Sequence, residues 1–293
     1  AGVNYGYGKA MSGAGTWYKT GIGTNQLNGG QAITASGQFY VQAGLLMNNN
    51  NAVNWNGCTA DMDVSAGAVL DLYADAIVAD ALTGAGTVRS TFGNSTGFSG
   101  SLQHSERLVL GVANGSGTFS GTIADTGIAT NGAGFGLLQL AKIGSGTQTL
   151  SGNNTYIGGT IVSNGTLTIN GSLTNANITI TGGTVNGSGK LYYRLADDVA
   201  DRIRVSGAGA IDITGLTIEV IKSGCQSAAE YIVIDDRTRV TGLFAVTNLP
   251  PYWAVDHDGT PAKTAGHLVI VAETGTATST ATDPVLSLPL ADW

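Results

Sequence analysis

Asp61 and Asp63 stand at i and i+2 in a run that alternates polar and apolar residues, Asp61-Met62-Asp63-Val64. On an extended strand such a pair shares one face, an arrangement that a glycosidase or a Ca²⁺ site can use. The competing reading is a solvated strand face or turn, and it is favoured. Further acids cluster at Asp197, Asp198 and Asp201, at Asp235 and Asp236, and at Asp256 and Asp258. The first of these groups lies beside Arg202 and Arg204, which suits ordinary ion pairing. His257, between Asp256 and Asp258, has the makings of a general base. No nucleophile can be assigned beside it, and its segment is bounded by Gly and Pro. Gly158-Gly159 runs on into Thr160-Ile161-Val162, so the glycine-rich calcium repeat is missing. Gly132-Ala133-Gly134-Phe135-Gly136 lacks the spacing of a phosphate loop. The chain is therefore expected to catalyse nothing and to hold no cofactor and no metal.

The elements that would carry these residues follow from composition. The 293 residues include 45 Gly and only 5 Pro, with 11% charged and 42% hydrophobic. An ordinary soluble domain has about 25% charged residues and about half as much glycine. Disorder needs more charge and fewer β-branched residues. Collagen needs a three-residue glycine period that is missing here. The net charge of −7, with 13 Lys and Arg, argues against nucleic acid and anionic membrane surfaces as partners. No apolar run is long enough to span a bilayer as a helix.

A phrase Gly-(Ser/Ala)-Gly-Thr, followed by alternating apolar residues, starts at Gly13, Gly84, Gly115 and Gly144, with a variant at Gly187. Its period is imperfect, as in solenoids whose coils tolerate insertions. Thr147-Gln148-Thr149-Leu150, Thr166-Leu167-Thr168-Ile169 and Ile178-Thr179-Ile180 alternate with period two, the mark of half-buried strands. Asn-Gly at Asn164, Asn170 and Asn186 supplies turns at low conformational cost. Strands this short and this regularly punctuated suit triangular coils stacked along an axis, a β-solenoid. Ala68 to Leu82 also reads as an amphipathic helix through Val69, Tyr73, Ile77 and Leu82. The neighbouring Gly-Ala-Gly-Thr phrase favours strands there. Leu191 to Val205, Ile211 to Ile221, Tyr231 to Asp236 and His267 to Ala272 read as longer strands.

Residues 144 to 171 resemble the passenger-associated repeat of bacterial autotransporters and related secreted exoproteins. The resemblance rests on Gly144, Gly146, Thr147, Leu150, Ser151, Gly152, Asn154, Thr155, Tyr156, Gly158, Gly159, Thr160, Val162, Gly165, Thr166 and Leu167. Looser similarity extends over roughly residues 60 to 272. The resemblance implies an all-β fold, a single-stranded right-handed parallel β-helix, exported to the cell exterior for adhesion, aggregation or surface coating. It carries no catalytic residues. Autotransporters end in a membrane barrel of many ten-residue strands, a pattern that these residues do not show; either such a barrel was cleaved or cut away or the chain is a stand-alone secreted solenoid, and the second is expected.

Four regions are expected: an N-terminal segment with the solenoid lead-in and cap over 1–55, repeats over 56–190, C-terminal coils and capping strands over 191–272, and an extended tail over 273–293. Cys58 and Cys225 are either inert buried thiols or a disulfide. At roughly 20–25 residues per coil they lie about 30 Å apart, beyond the ~7 Å that a bond allows. A disulfide between them would then join neighbouring molecules. Tyr5, Tyr7 and Trp17 at one end, and Val285, Leu286, Leu288, Leu290 and Trp293 at the other, are candidate assembly contacts. Solenoid ends expose strand edges that template pairing, so the expected partner is a second copy, head to tail in a filament or coat. Cell-surface glycans or proteins bound by a monomeric adhesin are the alternative.

Overall fold

The structure is a computed structural model that describes residues 5–7, 10–27, 30–48, 53–73, 76–91, 106–125, 137–195, 201–222, 230–243, 245–249, 253–256 and 268–272. Its short strands stack in parallel into three faces of a coil, a parallel β-solenoid. The first face has ten strands: Thr16–Lys19, Gln38–Val41, Asp61–Val64, Leu82–Gly84, Gly117–Phe119, Thr147–Leu150, Thr166–Ile169, Thr184–Asn186, Ala210–Asp212 and Val240–Thr241. The second runs as six strands from Tyr5–Tyr7 to Thr122–Asp125, then as five from Asn153–Asn154 to Ala245–Thr247. The third begins as Met11–Gly13, Gln31–Ala35 and Val53–Asn54 and continues as nine strands from Ile77–Ala79 onward. With neighbouring strands about 4.8 Å apart, ten rungs make a shaft on the order of 45 Å long.

The described residues between Ala68 and Leu82 form strands, Val69–Asp71 and Ile77–Ala79, in place of an α-helix. Among the described residues the helical content is one 3-10 turn, Arg237–Arg239. No helix among them is long and apolar enough to cross a membrane. Ile211 to Ile221 is not one long strand. It breaks at a corner, where Asp212 Oδ1 accepts the Thr214 amide at 3.0 Å and turns the chain between Ala210–Asp212 and Thr217–Lys222. A short Asx turn competes with extended pairing at such a residue.

The alternation read from sequence is what fills the core. Leu150, Leu167, Ile169 and Val185 point inward and are fully buried, while Thr147, Thr149, Thr166, Thr168 and Thr184 stand outward. Parallel pairing in register stacks like on like: Leu150 pairs with Ile169, and Leu167 with Val185. Each buried aliphatic side chain contributes about 1.5–3 kcal/mol relative to exposure. The column is continuous, so no rung buries its inward face alone.

The glycine phrase marks a corner and not a rung, which explains its imperfect period. At Gly13, Gly115 and Gly144 it leads into first-face strands, but at Gly84 and Gly187 into second-face strands Thr87–Ser90 and Lys190–Leu195. Gly86, Gly121, Gly152, Gly171 and Gly189 stack on successive rungs at the corner between first and second faces. A Cβ on Gly121, Gly152, Gly171 or Gly189 would press into the carbonyl oxygen of the glycine one rung below. Length variation collects at another corner, from second face to third. Ser90 leads to Arg107 and Asp125 to Gln139, whereas Asn154 leads to Thr160 and Leu173 to Ile178.

The last coil departs from the pattern. Leu268–Ala272 pairs antiparallel with Glu230–Ile234, across an irregularity between Ile232 and Ile234, and Trp253–Asp256 pairs antiparallel with Leu268–Ala272. The first two faces end instead in the strands Val240–Thr241 and Ala245–Thr247.

Candidate functional site

The residues of the repeat serve the backbone. Gly144 and Gly165 both adopt φ 64°, the left-handed region that glycine enters without strain. Asn154, fully buried, accepts the Ile123 amide at 3.1 Å and donates to the carbonyls of Gly152 at 3.0 Å and Ser172 at 3.2 Å. One side chain thus ties three successive rungs at the point where the second face resumes. Thr155 continues the link through its amide, which donates to the Ile123 carbonyl at 2.8 Å. Tyr156 is fully buried and its hydroxyl lies 2.7 Å from Thr160 Oγ1; burial pushes the phenol well above its ordinary range. Gly158 lets the chain pass over Leu138, and Gly159 turns it at φ 85°. Gly146 sits tightly on the Gly115 and Asn114 carbonyls of the preceding rung.

A second set of polar residues, not legible as functional in the sequence, bridges the wider coils. Gln148 stands at an inward position of the first face and is buried. It is in register with Gly117, which has no side chain, and it reaches past that glycine to the rung beyond. There its Oε1 accepts the Leu82 amide at 3.0 Å and its Nε2 donates to the Leu82 carbonyl at 2.9 Å. Asp80 accepts the amides of Ala113 at 2.6 Å and Gly115 at 2.8 Å. Asp125 accepts those of Leu138 at 2.6 Å and Ile157 at 2.5 Å, and burial lifts its carboxyl to about 6 despite both bonds. Lys142 and Lys19 are buried with their ammonium groups on turn carbonyls. Lys142 Nζ donates to Gly144 at 2.8 Å, and Lys19 Nζ to Gly21 at 2.7 Å and Ala43 at 2.8 Å. Burial holds both lysines below the usual range.

The acids with catalytic potential are spread out and engaged. Asp61 and Asp63 do share the outward side of one strand. Asp63 accepts Thr83 Oγ1 at 2.9 Å and Ser65 Oγ at 3.2 Å, and Asp61 is pushed up by burial and then by the charge of Asp80. Asp201 pairs with Arg194 at 2.9 Å, not with Arg202 or Arg204 as adjacency suggested. Strand pairing carries Arg202 toward Asp235, 3.8 Å away, and Arg204 to Asn177 at 2.8 Å. Asp236 caps the 3-10 turn, and its carboxyl is held low first by the Thr238 hydroxyl. Asp197, Asp198, His257 and Asp258 lie outside the described residues. Among the described residues no three His, Cys, Asp or Glu side chains gather as a metal site would require.

Cys58 is a free thiol, fully buried in the core, and burial raises its pKa. A bond from it to a neighbouring molecule would require the core to open. Cys225 lies outside the described residues, as do Val285, Leu286, Leu288, Leu290 and Trp293. Tyr5 and Tyr7 belong to the first strand of the second face. Trp17 lies inward at the N-terminal mouth, stacked on Phe39 with centroids 6.1 Å apart. Beside it opens a mainly apolar cavity of about 160 Å³ between Met11, Trp17, Leu27, Phe39 and Leu46. The Trp17 indole N–H is buried there without a hydrogen-bond partner. Exposed apolar side chains mark the same corner at both ends of the shaft. Ile22, 91% exposed, follows the first strand of the first face, and Leu243, 63% exposed, follows the last.

No curated protein matches the chain. The tightest rungs, with their Gly and Asn corners and the bridging Asn154, fall where a family match also falls: residues 140–169 match the passenger-associated-transport-repeat, which makes this an autotransporter-passenger-like solenoid.

Proposed function

We propose that the chain is a non-enzymatic structural protein of the cell exterior, a shaft that associates head to tail into a filament or coat and mediates adhesion or matrix formation. The matched repeat implies a secreted or surface protein. The observation that carries the assembly reading is the N-terminal mouth. A mainly apolar cavity of about 160 Å³ that opens at the first rungs is a poor surface to leave in water, and the buried Trp17 N–H beside it lacks a partner. The exposed Ile22 and Leu243 at matching corner positions support contact between two copies in line. The antiparallel strands on the third face limit parallel continuation to the first two faces.

Electron microscopy of the purified native chain tests this reading. Filaments or sheets are expected, and Ile22→Asp or Leu243→Asp should disperse them; uniformly single rods in the wild type would refute assembly. The second reading, a monomeric adhesin for glycans, is favoured by a polar trough on the opposite half of the shaft.

A further inference from the structure

The stacked glycines between the first and second faces leave a strip without side chains over Gly171 and Gly189. This strip floors a trough of about 380 Å³. On one wall Asn170 and Ser188 stand on adjacent rungs. On the other, Asn153, Ser172, Lys190 and Thr217 form an outward column in register, one per rung. Four rungs span about 14 Å along the axis.

Three properties define what such a trough can take. Its charges are internally matched: Lys190 Nζ lies 2.5 Å from Glu219 Oε2 on the next rung, so there is no net field for a polyanion. Its amides are oriented as donors. Asn170 Oδ1 accepts the Ser188 amide at 3.2 Å and hydroxyl at 3.3 Å, and Asn153 Oδ1 accepts Ser172 Oγ at 3.0 Å. The NH₂ groups of both amides are thereby left to donate outward. Tyr192, outward on the same strand as Lys190, adds a half-exposed ring, with Lys190 Nζ 5.6 Å from its centroid. Amide or hydroxyl groups recur at about 4.8 Å per rung, with the single Tyr192 ring beside them. That spacing is close to the advance of one ring along an extended β-linked polysaccharide.

We infer that this trough binds a neutral, extended β-linked oligosaccharide lying along the solenoid axis. The inference gives the surface reading above a ligand class, and it does not depend on end-to-end assembly. The sugar hydroxyls accept from Asn153 and Asn170 and donate to Ser172 and Ser188, with Tyr192 against a ring face. Polyanions gain nothing there, and coiled α-linked chains do not follow a straight trough.

Titration calorimetry of the full chain with cellohexaose and chitohexaose, against maltohexaose and heparin, tests it. Binding of at least one β-linked hexasaccharide is expected, at least tenfold tighter than maltohexaose or heparin. Ser172→Trp fills the trough from the outer surface and should abolish binding, and Tyr192→Ala should weaken it at least tenfold, both with unchanged thermal melting. Absence of binding by either β-linked probe, preference for heparin or maltohexaose, or binding that survives both variants would overturn the inference. Filaments seen by microscopy alongside any of these failures would leave the structural reading standing without the glycan.

Discussion

Two stretches of the shaft solve the same problem differently. From Thr147 to Asn186 the rungs are tight, and the corners close by backbone on backbone: Asn170 and Gly171 amides donate to the Leu150 carbonyl, Thr181 to Val162, and Gly189 to Ile169. Between Thr83 and Leu150 the rungs are wide, with Gly84 pairing with Phe119 and Phe119 with Leu150. Here the backbone corners persist, with the Ser120 amide on the Gly84 carbonyl and the Ser151 amide on the Phe119 carbonyl, and long-range side chains add to them: Gln148, Asp80 and Asp125 satisfy peptide groups 32 to 66 residues away. A buried peptide group must find a partner, and a coil that has grown by insertion recruits one from a neighbouring rung.

The largest effect should come from breaking the tight stretch at a corner. Gly171→Ala forces a Cβ into the Gly152 carbonyl and is expected to cost about 3 kcal/mol or more. Gly15→Ala, where a Cβ meets nothing within 4 Å, should stay within about 0.5 kcal/mol. Denaturant melts of the two variants measure the contrast. Among the side-chain bridges of the wide stretch, Gln148 should be the most sensitive. Gln148→Leu matches the apolar Leu167 beside it in register but strands the Leu82 amide and carbonyl, for an expected loss of about 2–3 kcal/mol. A neutral result would mean that Gln148 is a passive filler.

The smaller effect is in pH. The Asp125 carboxyl is raised to about 6 when folded, above the ordinary carboxylate value, so the folded chain binds its proton more tightly than the unfolded one. Its contribution is fully present below about pH 4 and lost as the pH rises through about 6. Between pH 7 and pH 4.5 the wild type should gain about 2 kcal/mol relative to Asp125→Asn. Equal pH profiles of thermal stability would show that the group is well solvated.

The same contrast sets what the sequence discloses. Glycines with positive φ, Asn-Gly turns and Thr-apolar alternation are local, so the tight stretch, the strands and the repeat were legible from residues such as Gly165, Asn164 and Leu167. The side-chain bridges were not, because each partner lies far along the chain: Gln148 from Leu82, Asp80 from Gly115, Asp125 from Ile157. One signal was present. A polar residue at the inward position of Thr147–Leu150, in register with Gly117, marks a missing side chain to be spanned. The polar trough was equally hidden, since Asn153, Ser172 and Lys190 become neighbours only once the coils are stacked in register.

That stacking can be tested by oxidation of engineered thiols on the outward side of the first face. Thr149 and Thr168 are in-register neighbours, about 4.8 Å apart, whereas Thr149 and Asn186 are two rungs apart, about 10 Å. Mild oxidation should crosslink Thr149→Cys/Thr168→Cys nearly completely and leave Thr149→Cys/Asn186→Cys reduced. Equal crosslinking of the two pairs, or none in the first, would contradict a parallel coil in this register.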